Sequence, residues 1–197
     1  MTIDFDDFGC NHIISDQCQS HDCRDKLDSL HYANPNFKVT LFTIPGEMTA
    51  ELLQWCKANN SWVELAVHGF YHTDNYECSS MDYFEIQNKM DLFKPMLDEF
   101  FVKGFKAPGW QISDMWYNWL VDNDYWIADQ NYNDSRRPSE LPSYVNHSGM
   151  FRTRSGDVNA WHGHTWDCMG NGIYETYDHV EELVKNANDF QFVSEVV

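Results

Sequence analysis

A chain of 197 residues, 43% hydrophobic and 16% aromatic, can bury roughly 70% of its unfolded surface and is far from disordered compositions, which predicts one globular domain over 1–197. A formal net charge of -18 excludes the clustered Lys and Arg with which nucleic-acid binders neutralise phosphates. No segment has the length and apolarity of a membrane span, and the opening Met1-Thr2-Ile3-Asp4 carries no basic leader. The expectation is therefore no nucleic acid, no membrane and a cytoplasmic location by default, with a virus-encoded origin as the alternative.

In chain order, residues 2–5 read as a first strand, 37–44 as a second and 62–67 as a third, each rich in β-branched or aromatic residues. Thr49 is placed to cap a helix reaching about Ala58, and Ser80 to start a longer one reaching Phe101. In the longer helix Ile86, Met90, Phe93, Leu97 and Phe100 form one apolar stripe and Pro95 predicts a kink. Short strands follow at 105–107 and 125–128, with a helix over 114–122 between them, and another strand at 158–162. A closing helix carries Ile173, Tyr177, Val180, Val184 and Ala187, and the apolar run 190–197 reads as a last strand. Alternating strands and helices imply a parallel α/β sheet. Neither a Gly-x-Gly-x-x-Gly turn nor a phosphate-binding Gly-Lys-Ser/Thr loop follows the first strand, which favours a small irregular barrel with its chemistry at the strand C-terminal ends.

Three groups fall at such ends: Asp6 and Asp7 after the first strand, His68 and His72 after the third, and His162 and His164 after the strand at 158–162. Each is weak alone, since tandem aspartates and a His-x-x-x-His spacing occur by accident in an acidic chain with nine histidines. Together they match a catalytic zinc site, two imidazoles and one carboxylate with positions left open, which assigns Asp7, His68 and His72 as ligands of one divalent ion. Adjacent strand residues point to opposite sides, so Asp6 is left as the base for a water whose pKa the ion lowers. Lys106 is the cation expected to keep Asp6 ionised. His164 is the expected acid with His162 in reserve, and Asp129 is expected to tune Lys106 or the acid. The six cysteines show no Cys-x-x-Cys pair and read as reduced thiols; Cys18, His21 and Cys23 form a weaker candidate for a second metal site that matches no usual zinc spacing.

These motifs resemble the polysaccharide deacetylases of carbohydrate esterase family 4, the NodB-homology hydrolases, in order along essentially the whole chain. Asp4-Phe5-Asp6-Asp7-Phe8-Gly9 is similar to the family's Thr-Phe-Asp-Asp-Gly, and His68-Gly69-Phe70-Tyr71-His72 to its His-Ser/Thr-x-x-His. Lys106-Ala107-Pro108-Gly109-Trp110 resembles Arg-x-Pro-x-Gly/Trp with Lys for Arg, and Trp161-His162-Gly163-His164 resembles the last motif. The resemblance implies a small irregular (β/α)7 barrel that removes N- or O-linked acetyl groups from an acetylated oligo- or polysaccharide. It implies Asp6 as base and Asp7, His68 and His72 on one Zn²⁺ (Co²⁺ or another divalent ion serving as well); Tyr71, Pro108, Trp110 and Trp166, near the expected mouth, are the candidates to face the substrate, the aromatics by stacking on sugar rings. Two alternatives stand beside it: a carbohydrate-binding pseudo-deacetylase, in which Lys106 and the weak motif around Asp129 have cost turnover, and a metal-dependent amidohydrolase acting on a non-sugar amide.

Overall fold

The computed structural model describes residues 1–9, 13–15, 18–19, 22–131, 133–145, 149–153, 156–166 and 170–197. Strand β1 (Thr2–Phe8) leads to a short hairpin, β2 (Ile13–Ser15) and β3 (Cys18–Gln19), and then to helix α1 (Arg24–Ala33). There follow β4 (Val39–Thr43), α2 (Ala50–Ala58), β5 (Val63–His68), α3 (Tyr83–Phe100), β6 (Gly104–Lys106) and α4 (Asp114–Asp122). The chain continues through β7 (Trp126–Asp129), β8 (Ser143–Val145), β9 (Gly149–Thr153) and β10 (Gly156–His164) to α5 (Ile173–Asn186).

The main sheet has the order β8-β7-β6-β5-β4-β1-β10-β9. Every neighbouring pair is parallel except β9 with β10, so seven parallel strands run together. Strands β8 and β9, at opposite ends of this order, come into contact, and the sheet curls into a small irregular (β/α)7 barrel. Parallel pairing aligns the C-terminal ends of β1, β5, β6 and β10 at one mouth.

The helices form where capping and an apolar stripe coincide. Thr49 accepts the Leu52 N–H at 3.2 Å at the start of α2, while α3 begins at a reciprocal Asp82/Glu85 box, two residues later than Ser80 suggests. Helix α3 runs on through Pro95, because Pro95 and Asp91 are exposed and water can take the Asp91 carbonyl that proline leaves without a partner. Helix α1 escapes the periodicity reading because only Leu27 and Leu30 are buried in ten residues.

The run 190–197 is not a strand. It forms a 3₁₀ turn, Val193–Glu195, and buries Phe190, Val193 and Val196 at intervals of three. Val193 and Val196 join Phe42, Ala66, Trp126, Ala128 and Tyr144 in one cluster, so the C-terminal segment plugs the end of the barrel away from the mouth. The plug is tied by hydrogen bonds at the start of β4 and β5. The Val193 N–H donates to Thr40 Oγ1 at 3.0 Å, Thr40 Oγ1 donates to Glu64 Oε1 at 2.8 Å, and Ser194 Oγ donates to Glu64 Oε2.

Burial pushes the Glu64 pKa up, in spite of the Ser194 and Thr40 hydrogen bonds. A folded pKa above the unfolded value means that the folded state holds the proton more tightly, so stability falls as pH rises from about 4.5 through the folded pKa. Glu64→Gln keeps the hydrogen-bonding shape without the charge. Unfolding free energies of variant and wild type are expected to agree near about pH 4 and to diverge toward neutrality with the variant more stable; parallel curves contradict this.

Candidate metal centre and active site

The end of β1 departs from regular alternation. Its pairing with β4 shifts register between Phe5 and Phe8, and Asp7 has a φ of 63°. This bulge overrides the expectation that Asp6 and Asp7 face opposite sides, so both carboxylates reach the mouth. Thr165, just past the end of β10, secures it, its N–H donating to the Asp6 carbonyl at 2.9 Å and its hydroxyl to the Asp7 carbonyl at 2.7 Å. His72 (φ 48°) and Trp110 (φ 55°) are also left-handed, so three of the four such non-glycine residues among those described lie at the mouth. Backbone strain of this kind collects at sites that function imposes.

Asp7 Oδ1 lies 3.3 Å from His68 Nε2 and 3.2 Å from His72 Nε2, and the ligand atoms of the three residues are all within 4.8 Å of one another. His68 Nδ1 is 3.1 Å from the Lys106 carbonyl, which can only accept, so Nδ1 carries the proton and the Nε2 lone pair faces Asp7. Gly69 (φ 62°) turns the chain between the two histidines. Glu77 then accepts the N–H groups of Phe70 and Tyr71 at 3.1 Å and of His72 at 2.9 Å, which fixes the His72 backbone.

Whether these residues fit a cation can be judged from Asp7 itself. Its Oδ1 is buried and makes no hydrogen bond, although two imidazole nitrogens point toward it, which is the donor arrangement of a two-histidine, one-carboxylate zinc site. Burial raises the Asp7 pKa, but the two imidazoles outweigh it and the net shift is downward. Burial likewise lowers the His68 pKa, but the Asp6 and Asp7 carboxylates outweigh it and the net shift is upward.

Asp6, Lys106 and the β10 histidines form the adjoining group. Lys106 is fully buried, with its Nζ 2.5 Å from Asp6 Oδ1, 3.7 Å from Asp4 Oδ1 and 4.5 Å from the centre of the Phe42 ring. Burial alone would raise the Asp6 pKa; Lys106 foremost, with His162, His68 and His164, brings it well below the usual carboxylate range. His162 Nδ1 donates to Asp4 Oδ1 at 2.8 Å, and its Nε2 lies 3.9 Å from Asp6 Oδ2. The His164 ring stacks on Trp166 at 3.9 Å, and burial pushes its pKa down to about 4. Asp6, His162 and His164 also have the spacing of a metal group, but the ammonium against Asp6 already supplies its positive partner.

The remaining expected residues are distributed around this centre. Trp110 packs edge-on to His162 at 6.3 Å, buried Pro108 abuts Gly69, and Tyr71 is partly exposed with Lys89 over its ring at 4.5 Å. Asp129 accepts the Tyr117 hydroxyl at 2.7 Å and the Asn131 N–H at 2.8 Å. Cys23, Cys56 and Cys78 are buried free thiols, and burial pushes Cys56 up to about 12. Cys23 packs in the core, while His21, the second member of the weaker metal candidate, lies outside the described residues. Sequence reading missed Asp4, Tyr144, Glu77 and Thr165. Of these, only Asp4 carried a signal, since it shares a strand face with Asp6.

No protein-family model matches the chain, and no curated protein matches it. Solved structures do. A CE4 domain of a multidomain xylanase from the hindgut metagenome of Trinervitermes trinervoides is 19% identical, with a TM-score of 0.59 over 98% of this chain and 87% of that one. A peptidoglycan N-acetylglucosamine deacetylase is 14% identical, with a TM-score of 0.61 over 99% and 86%. A family 4 acetyl xylan esterase from Clostridium thermocellum, solved with a cobalt ion, is 15% identical, with a TM-score of 0.60 over 98% and 88%. The chain has the polysaccharide deacetylase fold, and among the described residues no helix is long and apolar enough to cross a membrane.

Glu77 reaches the candidate metal centre through the backbone it holds. Glu77→Ala is expected to weaken Zn²⁺ binding by about 10- to 100-fold while circular dichroism stays unchanged, as for other outer-shell partners of a ligating histidine. Unaltered affinity in a competition titration contradicts that role.

Proposed function

We propose that this protein is a metal-dependent hydrolase, one domain over 1–197, that removes acetyl groups from an acetylated carbohydrate. The observation that carries the reading is the juxtaposition of Asp7, His68 and His72 with Asp6, whose carboxylate Lys106 holds at 2.5 Å. The fold supports it, as do the similar structures, a CE4 domain of a xylanase, a peptidoglycan N-acetylglucosamine deacetylase and an acetyl xylan esterase solved with cobalt.

Asp7, His68 and His72 would hold the ion, most suitably Zn²⁺ from a donor set of two nitrogens and one oxygen, with Co²⁺ as a substitute. When bound, it supplies Lewis-acid polarisation of the acetyl carbonyl and a lower pKa for water. Asp6 accepts the proton of the attacking water, and Lys106 keeps it ionised to do so. His162 and His164 are the proton donors at hand for the departing amine or alcohol. Trp110, Tyr71, Pro108 and Trp166 offer apolar and aromatic faces around the centre for a sugar ring. Lys106 in place of Arg gives a point charge rather than a planar fork. The 2.5 Å contact retains the positive partner of Asp6, which favours turnover over the binding-only reading.

An acetate-release assay on chitin oligomers and acetylated xylan tests this. Asp6→Asn is expected to lower kcat by about 100- to 10,000-fold, and His68→Ala or a chelator to remove activity that added Zn²⁺ or Co²⁺ restores only in the chelated wild type. Glycan binding without acetate release, or equal rates for wild type and variants, overturns the proposal.

A further inference from the structure

Alternation along β1 sends Ile3 and Phe5 outward into the core among the helices and Asp4 and Asp6 into the barrel, and it would send Asp7 outward next. The outward place is taken instead by Phe8, which joins Ile3 and Phe5 in the same cluster and lies 6.5 Å from the Trp55 ring. The strand therefore holds one extra residue: Phe5 and Phe8 pair with Leu41 and Thr43, three positions of β1 against two of β4. The carbonyls show the same shift. In a regular parallel strand successive carbonyls address opposite neighbours, so those of Asp6 and Asp7 would turn to β10 and β4 in order. Both turn to Thr165, fully buried one residue past β10: its N–H supplies the ladder bond to the Asp6 carbonyl at 2.9 Å, and its hydroxyl reaches the Asp7 carbonyl at 2.7 Å. The β4 side resumes at Phe8, whose carbonyl accepts the Ile44 N–H at 3.0 Å. With its φ at 63°, Asp7 keeps its carboxylate at the mouth, Oδ1 lying 3.3 Å from His68 Nε2 and 3.2 Å from His72 Nε2.

We infer that Thr165 is the positioning residue that makes Asp7, the extra residue of the bulge, available as a ligand. The inference rests on the metal-binding reading above. A side-chain hydroxyl is what the position requires, because the N–H groups of a parallel neighbour are spaced to meet every second carbonyl and offer none to Asp7. Without that hydroxyl a buried carbonyl loses its partner, which favours the extended conformation. Extended backbone returns the Asp7 carbonyl toward β4 and turns the carboxylate away from His68 and His72. Thr165 thus sets the ligand in place before an ion arrives.

Thr165→Val keeps the shape and removes the donor, whereas Thr165→Ser keeps the donor. In a Zn²⁺ competition titration Thr165→Val is expected to bind about 10- to 100-fold more weakly than wild type, and Thr165→Ser within about threefold of it. Val184→Ala, a truncation in the core among the helices, controls for lost stability and is expected to lower Tm with Zn²⁺ affinity unchanged. Equal affinity for wild type and Thr165→Val, or a loss in Val184→Ala as large as that in Thr165→Val, overturns the inference. Backbone chemical shifts of Asp7 in the metal-free wild type give an answer that needs no variant. Left-handed values that Zn²⁺ leaves in place are expected; extended values that turn left-handed only when Zn²⁺ is added overturn the inference. If the wild type binds no Zn²⁺, the metal-binding reading fails and takes the inference with it; if it binds and Thr165→Val binds as tightly, the inference alone fails.

Discussion

Burying the carboxylates of Asp4, Asp6 and Asp7 at the end of one strand is the constraint to which the rest of the molecule answers. Each buried charge costs several kcal/mol unless donors or counter-charges meet it. Lys106 meets Asp6, Tyr144 and His162 meet Asp4, and His68 and His72 face Asp7. Three buried acids against one buried ammonium leave the group short of positive charge, which a dication between Asp7 and the two imidazoles would supply.

The barrel exists, in this sense, to bring those partners from distant sequence. His68 and Lys106 sit side by side in the β5–β6 register, and Asp6 beside His164 in the β1–β10 register. Parallel pairing thus converts separations of tens of residues into neighbouring strands. The cost appears in backbone geometry: Asp7, His72 and Trp110 adopt left-handed conformations, held by Thr165 and Glu77 where the hydrogen bonds are explicit.

Much of this was legible in the sequence, for identifiable reasons. Strands β1, β4 and β5 are apolar runs buried along their whole length, and α2 and α3 carry capping residues and an apolar stripe. The grouping of Asp7 with His68 and His72 follows from the rule that chemistry gathers at strand C-terminal ends. Strand β8 is too short to show a period, and α1 too polar. The 190–197 run misleads because alternation and a three-residue interval cannot be told apart over so few apolar positions. Asp4 was visible as the same-face partner of Asp6. Glu77 was not, because a carboxylate that binds three backbone N–H groups leaves no pattern in sequence.

The chemistry at the mouth turns on whether Asp7, His68 and His72 bind one divalent ion beside the Asp6–Lys106 pair. X-ray absorption spectroscopy of the Zn²⁺-loaded protein is the most direct test. Two imidazole nitrogens at about 2.0–2.1 Å with oxygen completing the shell, and the loss of an imidazole signature in His72→Ala, are expected. A shell of oxygens alone, or one that includes sulfur, would contradict it.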